Sequence, residues 1–418
     1  MAFQGRRSNG TSTALEGHRT YPSSYNTQMK FKTGYCTNVH AGADLETTRA
    51  NLLQHAVAVR DKVCGEEPMG IGLWLSAPTA ESLLATAAQQ EEFKNWLSES
   101  KLLPYTLNGF PYGDFHQPIV KHKVYLPTWW ESERAAYTAN LIDLLHHLLP
   151  DGEQGSISTL PISWGGSESA PGPTGEQLQQ AAVQLRGISD KLARLEAETG
   201  RLIHIALEPE PGCYLQRSGD LGKFFDEYLL PGGNEDQIRR YLRVCHDVCH
   251  AAVMNESQRS AFEHYQSAGV QVGKVQVSSA VILDLDPMAA SDRTDAISQL
   301  GGFAEDRYLH QTTLKTKNGD FFFEDLPGAL AAATSDATPQ GRLSVHFHVP
   351  VYLEQFGLLG TSRQDIIECL SAAQDLSDVD HYEIETYAWG VLPDDLQHET
   401  LADGIAQEIE WFEQNSRG

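Results

Sequence analysis

The sequence predicts an α/β fold, a single (β/α)8 TIM barrel with long insertions, on three observations. Short apolar or β-branched runs alternate with stretches of helical period, the order that a parallel sheet with crossover helices requires. Several of those runs close on His, Asn, Asp, Gln or Glu, and the C-terminal strand ends of a barrel are where functional side chains collect. The chain of 418 residues exceeds the roughly 250 of a bare barrel, yet nothing in the pattern divides it in two.

Residues 1–28 are rich in Gly, Ser, Thr and Asn with little to bury, so a mobile leader is expected there and the barrel domain over 29–418. The first strand is FKTGYCTNVH, followed by Asp44 as a helix N-cap and by Leu52, Ala56, Val59 and Val63 at helical spacing. MGIGLWLS is the second, and the stretch after it reads as one helix entered through Pro78. LPYTLNGF and SISTLPIS are the third and fourth, separated by a long insertion and a helix around AAYTANLIDLLHHLL.

Leu178, Ala181, Leu185, Ile188, Leu192 and Leu195 then step by three and four toward Gly200, a helix-ending residue, and RLIHIALEPE follows as the fifth strand. YLRVCHDVCH and VGKVQVSSA are the sixth and seventh. Two runs compete to be the eighth, RLSVHFHVPVY and HYEIETYAW. A helical stretch, RQDIIECLSAAQDL, leads straight into HYEIETYAW, which is therefore assigned to close the barrel. The other run is then an added strand beside the mouth, in an insertion at about 305–352 that also carries a hairpin signal at Asn318-Gly319.

A formal charge of −25, from 31 basic and 56 acidic residues, repels phosphate polymers and anionic membrane surfaces, so nucleic acid is excluded as a default partner. Six scattered cysteines do not make a disulfide framework, and neither a spanning apolar run nor a secretory signal is visible; a cytoplasmic protein is expected.

Period-two alternation puts Glu208 at the last position of its strand before Pro209, aimed into the barrel mouth, where an unpaired carboxylate is costly unless a cation or donor is near. Glu210 reads as a loop residue. Asp247 and His250 form an Asp-x-x-His at the end of the sixth strand, two ligand types for one divalent ion, with Cys245 and Cys249 on the face of Asp247. His346 and His348, two apart on a strand, offer two imidazoles on one face, and Glu383 and Glu385 repeat that spacing with carboxylates. Glu385 then faces Glu208 across the ion. His40, Asn108 and Gln276 end three further strands and are candidates to hold substrate with His250 and His346. The aromatic-rich segment GFPYGDFHQPIVKHKVYLPTWW reads as a lid or as an ordered insertion.

Glu208, Asp247-Val-Cys-His250, Gln276 and Glu385 at successive strand ends resemble the xylose-isomerase-like superfamily of sugar isomerases, epimerases and apurinic endonucleases. The segments YCTNVHAG, GIGLWLS, NGFPYGDFH, HIALEPEPG, CHDVCH, HFHVPV and EIETYAWGVLP, from about 33 to 393, are similar to the EboE family of metabolite traffic proteins. The resemblance implies one divalent ion (Mn, Mg, Co or Zn) held by Glu208, Asp247 and Glu385. It also implies that the two glutamates carry a proton through an enediolate of a small polyhydroxy substrate, a sugar or cyclitol, which His250 contacts. The superfamily's fourth ligand is a histidine where this chain has Gln276, so His348 or His310 from the inserted segment has to take that place. Two other readings stay open: a carrier that kept the pocket without turnover, and a zinc-cluster hydrolase.

Overall fold

The structure, a computed structural model, describes residues 32–167, 171–334 and 340–416; the leader expected at 1–28 lies outside them. Fourteen strands are present among these residues. Seven come first: β1 (Lys32–Tyr35), β2 (Met69–Trp74), β3 (Leu102–Asn108), β4 (Gly155–Thr159), β5 (Ile203–Leu207), β6 (Leu242–Asp247) and β7 (Val272–Val277). Then follow β8 (Val281–Asp284), β9 (Thr312–Thr316), β10 (Gly319–Phe323), β11 (Arg342–Val345), β12 (Gln355–Phe356) and β13 (Leu359–Thr361), and finally β14 (His381–Ile384).

Eight strands pair in parallel in the order β1-β14-β7-β6-β5-β4-β3-β2, with HYEIETYAW supplying β14 between β1 and β7. A parallel bridge from Cys36 to Gly72 brings the first and last strands of that order together. Small residues make this seam possible. A Cβ on Gly34 would lie 2.5 Å from the Gly70 carbonyl oxygen, and one on Gly72 would lie 1.3 Å from Glu383 Oε1.

Strands buried on both faces read as apolar runs, and the main core lies between them and the surrounding helices, with Ile71, Leu107, Ile157, Ile205 and Val244 fully covered. The barrel interior is polar by contrast. Lys274 Nζ pairs with Glu383 Oε2 at 2.5 Å, both side chains completely buried, and lies 3.3 Å from Ser158 Oγ.

The helices follow the caps in the sequence. The Asp44 carboxylate accepts from Thr47 N, and Thr174 opens the helix Gly175–Thr199, which ends on Gly200 at φ 74°. The segment read as one helix after β2 is two, Ala77–Leu84 and Ala87–Glu99. The Thr86 hydroxyl caps the Gln89 N–H and starts a new helix where a continuous one was expected.

The remaining strands form a second, antiparallel sheet in the order β10-β9-β11-β8-β13-β12. It has its own apolar cluster, including Leu283, Leu300, Phe303, Leu343, Val345 and Phe347. This sheet takes in chain from residue 281 to 361, a wider span than the 305–352 expected, because β8 leaves β7 directly and pairs with β11 and β13. The β9–β10 hairpin turns at Lys317-Asn318, with Thr316 opposite Gly319.

Candidate metal centre

The ends of β5, β6 and β14 bring three carboxylates together. One oxygen from each of Glu208, Asp247 and Glu385 lies within 4.8 Å of the others. Asp247 ends β6 and caps the helix Val248–Val253: its Oδ1 accepts from His250 N at 2.9 Å and from Ser278 Oγ at 2.8 Å. Asp247 Oδ2 is buried without a hydrogen-bond partner, and so is Glu208 Oε2. Glu385 Oε1 accepts from Asn38 Nδ2 at 2.7 Å and from Asn108 Nδ2 at 3.1 Å.

The electrostatics of three adjacent buried acids are unfavourable without a cation. Burial, then the neighbouring Glu385 and Asp247, push Glu208 well above the usual carboxylate range, and burial with Asp247 and Glu383 pushes Glu385 up to about 8. Burial also raises Asp247, but the neighbouring His250 and His348 and its own hydrogen bonds outweigh that and hold it below its ordinary value.

The inserted sheet adds imidazoles. His348 Nδ1 lies 2.7 Å from the Glu385 carbonyl, which can only accept, so Nδ1 carries the proton and Nε2 presents a lone pair. That lone pair has no partner and faces Asp247 Oδ2 at 3.9 Å. Asp247 thus joins two groups of ligand atoms, one with Glu208 and Glu385 and one with His250 and His348, oxygen and imidazole donors of the kinds that suit a divalent ion.

Beside it, His250 Nδ1 donates to the Pro209 carbonyl at 2.9 Å, and His346 Nδ1 donates to Gln311 Oε1 at 2.9 Å. The orientation of Gln311 is fixed because its Nε2 donates to Glu210 Oε1 at 2.9 Å. Both Nε2 atoms therefore carry lone pairs, and they face each other at 3.2 Å. Two lone pairs that close need a positive charge between them, a proton or a metal ion.

Of the residues expected from sequence, Glu208, Asn108, His250, His346, His348 and Glu385 line one cavity, and Asp247 lies against His348 at 3.9 Å. His40 is a correction. The turn Thr37–Val39 carries it away from the mouth, and it is hydrogen-bonded to Tyr35 Oη at 2.9 Å and stacked on His55. Gln276 is also absent from the cavity lining: it lies in register with Asp247 and Glu383, its amide buried without a partner. His310 stacks on Phe347 next to Glu305 and Asp325, so among the alternatives for the fourth ligand only His348 faces the carboxylates.

Two local geometries differ from expectation. His346 and His348 lie beyond β11 on irregular backbone, where His346 N donates to the Gln311 carbonyl and Val349 N to the Ser279 carbonyl. Cys249 and His250 sit in a helical turn, so Asp247 and Cys249 do not share a strand face. Glu210, read as a loop residue, is buried in the site and accepts from Tyr125 Oη at 2.7 Å. Its period-two spacing from Glu208 was the signal that could have found it.

No family model matches the chain, and no curated protein does. Solved structures do resemble it. A xylose isomerase-like TIM-barrel protein from Mycobacterium smegmatis, in complex with magnesium, is 12% identical with a TM-score of 0.51, covering 93% of this chain and 97% of that one. A probable 3-DHS dehydratase, AsbF, from Bacillus anthracis is 14% identical with a TM-score of 0.44 over 91% and 97%. IolI with a bound zinc atom is 10% identical with a TM-score of 0.44 over 92% and 98%. The eight-stranded parallel barrel and its first likeness define a xylose-isomerase-like (β/α)8 fold.

Proposed function

We propose that this chain is a metal-dependent isomerase or epimerase acting on a small metabolite with adjacent oxygens, of sugar or cyclitol type, in a metabolite biosynthesis or traffic pathway of the EboE kind. One observation carries the reading: Asp247, whose buried Oδ2 has no hydrogen-bond partner, is shared by two groups of ligand atoms, one with Glu208 and Glu385 and one with His250 and His348. Glu208, Asp247, Glu385 and His348 are the residues that would hold a divalent ion. When bound, such an ion supplies charge stabilisation to oxygens on which negative charge develops.

The chain's own groups do the rest. Glu208 and Glu385 are two carboxyl groups of one cluster that both line the cavity, so one can accept a proton from substrate carbon while the other returns one. Asn38 and Asn108 hold Glu385 in place by two hydrogen bonds. His250, anchored through the Pro209 carbonyl, lines the substrate space.

Metal analysis after chelation and reconstitution with Mn, Mg, Co or Zn tests the first half, and about one tightly held ion per chain is expected. Less than a tenth of an ion overturns it. Solvent deuterium exchange into bound sugars tests the second half; a carrier shows none.

A second reading has its own support in the facing Nε2 atoms of His250 and His346, with Glu210 alongside. Two or three zinc ions per chain would favour a zinc-cluster hydrolase over the isomerase. The charge of −25 disfavours DNA as its substrate.

A further inference from the structure

The cavity over the carboxylates has two unlike halves. Its base holds the orphaned atoms of Glu208 and His348, with Asp247 against His348. Its wall is formed by Phe110, Phe115, Val120, Val124, Tyr308 and Leu309. The rings of Phe115, Tyr308 and Tyr387 form a triangle with centroids 5.0, 5.4 and 5.2 Å apart, and Tyr387 packs on the His348 ring at 4.7 Å. The aromatic rings therefore form one cluster in contact with the His348 imidazole.

The polar groups set in this wall, the Tyr387 hydroxyl excepted, are already engaged by the protein. Tyr125 Oη donates to Glu210, Tyr308 Oη donates to the Phe115 carbonyl at 3.2 Å, and Gln311 is bonded to Glu210 and His346. Lys121 Nζ is paired with Asp325 at 2.7 Å. The Asn108 amide donates to Glu385 and accepts from Phe110 N at 3.1 Å. Asn38 Oδ1 is unpartnered, but the Asn38 side chain belongs to the base, where its Nδ2 holds Glu385. A polyol with hydroxyls all round would bury several of them against this wall without partners.

We propose that the ligand is amphiphilic: a compact sugar- or cyclitol-type head with two adjacent oxygens, seated on the carboxylates, joined to an aromatic or branched aliphatic body of about one ring that lies against the apolar wall. The proposal rests on the metal-binding reading for its head and on the wall alone for its body. A preformed apolar wall favours such a body by removing its surface from water, and the engaged polar groups penalise a bare sugar.

The test uses two chelators that share a head and differ in body, acetohydroxamate and benzohydroxamate, titrated calorimetrically into the metal-reconstituted full chain. Benzohydroxamate is expected to bind at least about 30-fold tighter. Phe115→Ala should narrow that ratio to under about fivefold, and the milder Val124→Ser narrows it in the same direction should the first variant not fold. A ratio below about three with metal retained overturns the inference and leaves the metal reading standing; so does myo-inositol binding as tightly as benzohydroxamate. If no metal is retained the metal reading fails, and the body is read separately by saturation-transfer NMR on the same protein. Transfer to benzamide but not acetamide, lost in Phe115→Ala, supports the apolar half; no transfer to benzamide overturns it.

Discussion

The strand ends of the barrel and the inserted sheet supply the same site in different ways. Glu208, Asp247 and Glu385 come from β5, β6 and β14, whose positions are fixed by ladder hydrogen bonds on both sides. His346 and His348 come from irregular backbone past β11, held by isolated bonds to Gln311, Ser279 and the Glu385 carbonyl. Under the proposed metal-binding reading the barrel would contribute hard oxygen ligands and the insertion borderline imidazoles.

The largest effect that can break this comparison lies in the barrel itself. Gly72→Ala places a methyl on Glu383 Oε1 and is expected to cost about 4 kcal/mol or more, read as loss of soluble protein or of a cooperative melt. A near-native melting temperature would mean that the buried Glu383 carboxylate can move aside.

Next come the ligands. Asp247→Asn should weaken metal binding by at least about 100-fold and His348→Ala by about 10- to 100-fold, measured by competition with a chromophoric chelator. Equal losses would erase the proposed division between rigid and added ligands.

The pH dependence is smaller and has a definite sign. Glu385 is raised to about 8 and Glu408, buried in the helix Leu401–Asn415, to about 7, in each case chiefly by burial. Between the ordinary carboxylate range and those values the folded chain holds protons that the unfolded chain has released. Above about pH 7, where the histidines lowered by burial are neutral in folded and unfolded chain alike, the metal-free protein should therefore lose stability as pH rises to about 8. Denaturant melts at both pH values check it, and added metal or Glu385→Gln should flatten the slope.

The smallest expected effect sharpens the link between the two regions. Glu408 accepts from Thr386 Oγ1 at 2.5 Å, from Trp389 Nε1 at 3.3 Å and from Val351 N at 3.1 Å, tying the segment after Glu385 to the segment after His348. Glu408→Gln should weaken metal binding by a few-fold, up to about 10-fold. Unchanged affinity would show that the two arms are positioned independently.

The barrel was legible because period-two alternation and polar strand ends are local signals, so Glu208, Asp247 and Glu385 could be read from their own neighbours. His40 looked equivalent and is not, since the turn Thr37–Val39 is a local kink that alternation does not encode. His346 and His348 were legible as ligand types, but not as residues on irregular backbone, because their placement depends on partners more than thirty residues away in Gln311 and Ser279. Glu210 was hidden by its two flanking prolines, which mark a loop without telling that the chain folds back to bond Glu210 N to the Leu215 carbonyl. The aromatic wall combines the segment after β3 with the inserted sheet, and no single window of sequence contains it.

Within the second sheet the chain leaves β8 and returns to β11 at neighbouring points. Leu285 N donates to the Gly341 carbonyl at 2.9 Å, so the polypeptide departs β8 and re-enters β11 across a single hydrogen bond. The described part of the intervening chain, 286–334, brings Tyr308, Leu309 and Gln311 to the cavity, while every strand of the barrel lies outside it. Exchange of that one stretch would retune what the mouth admits, while the acids at its floor keep their register.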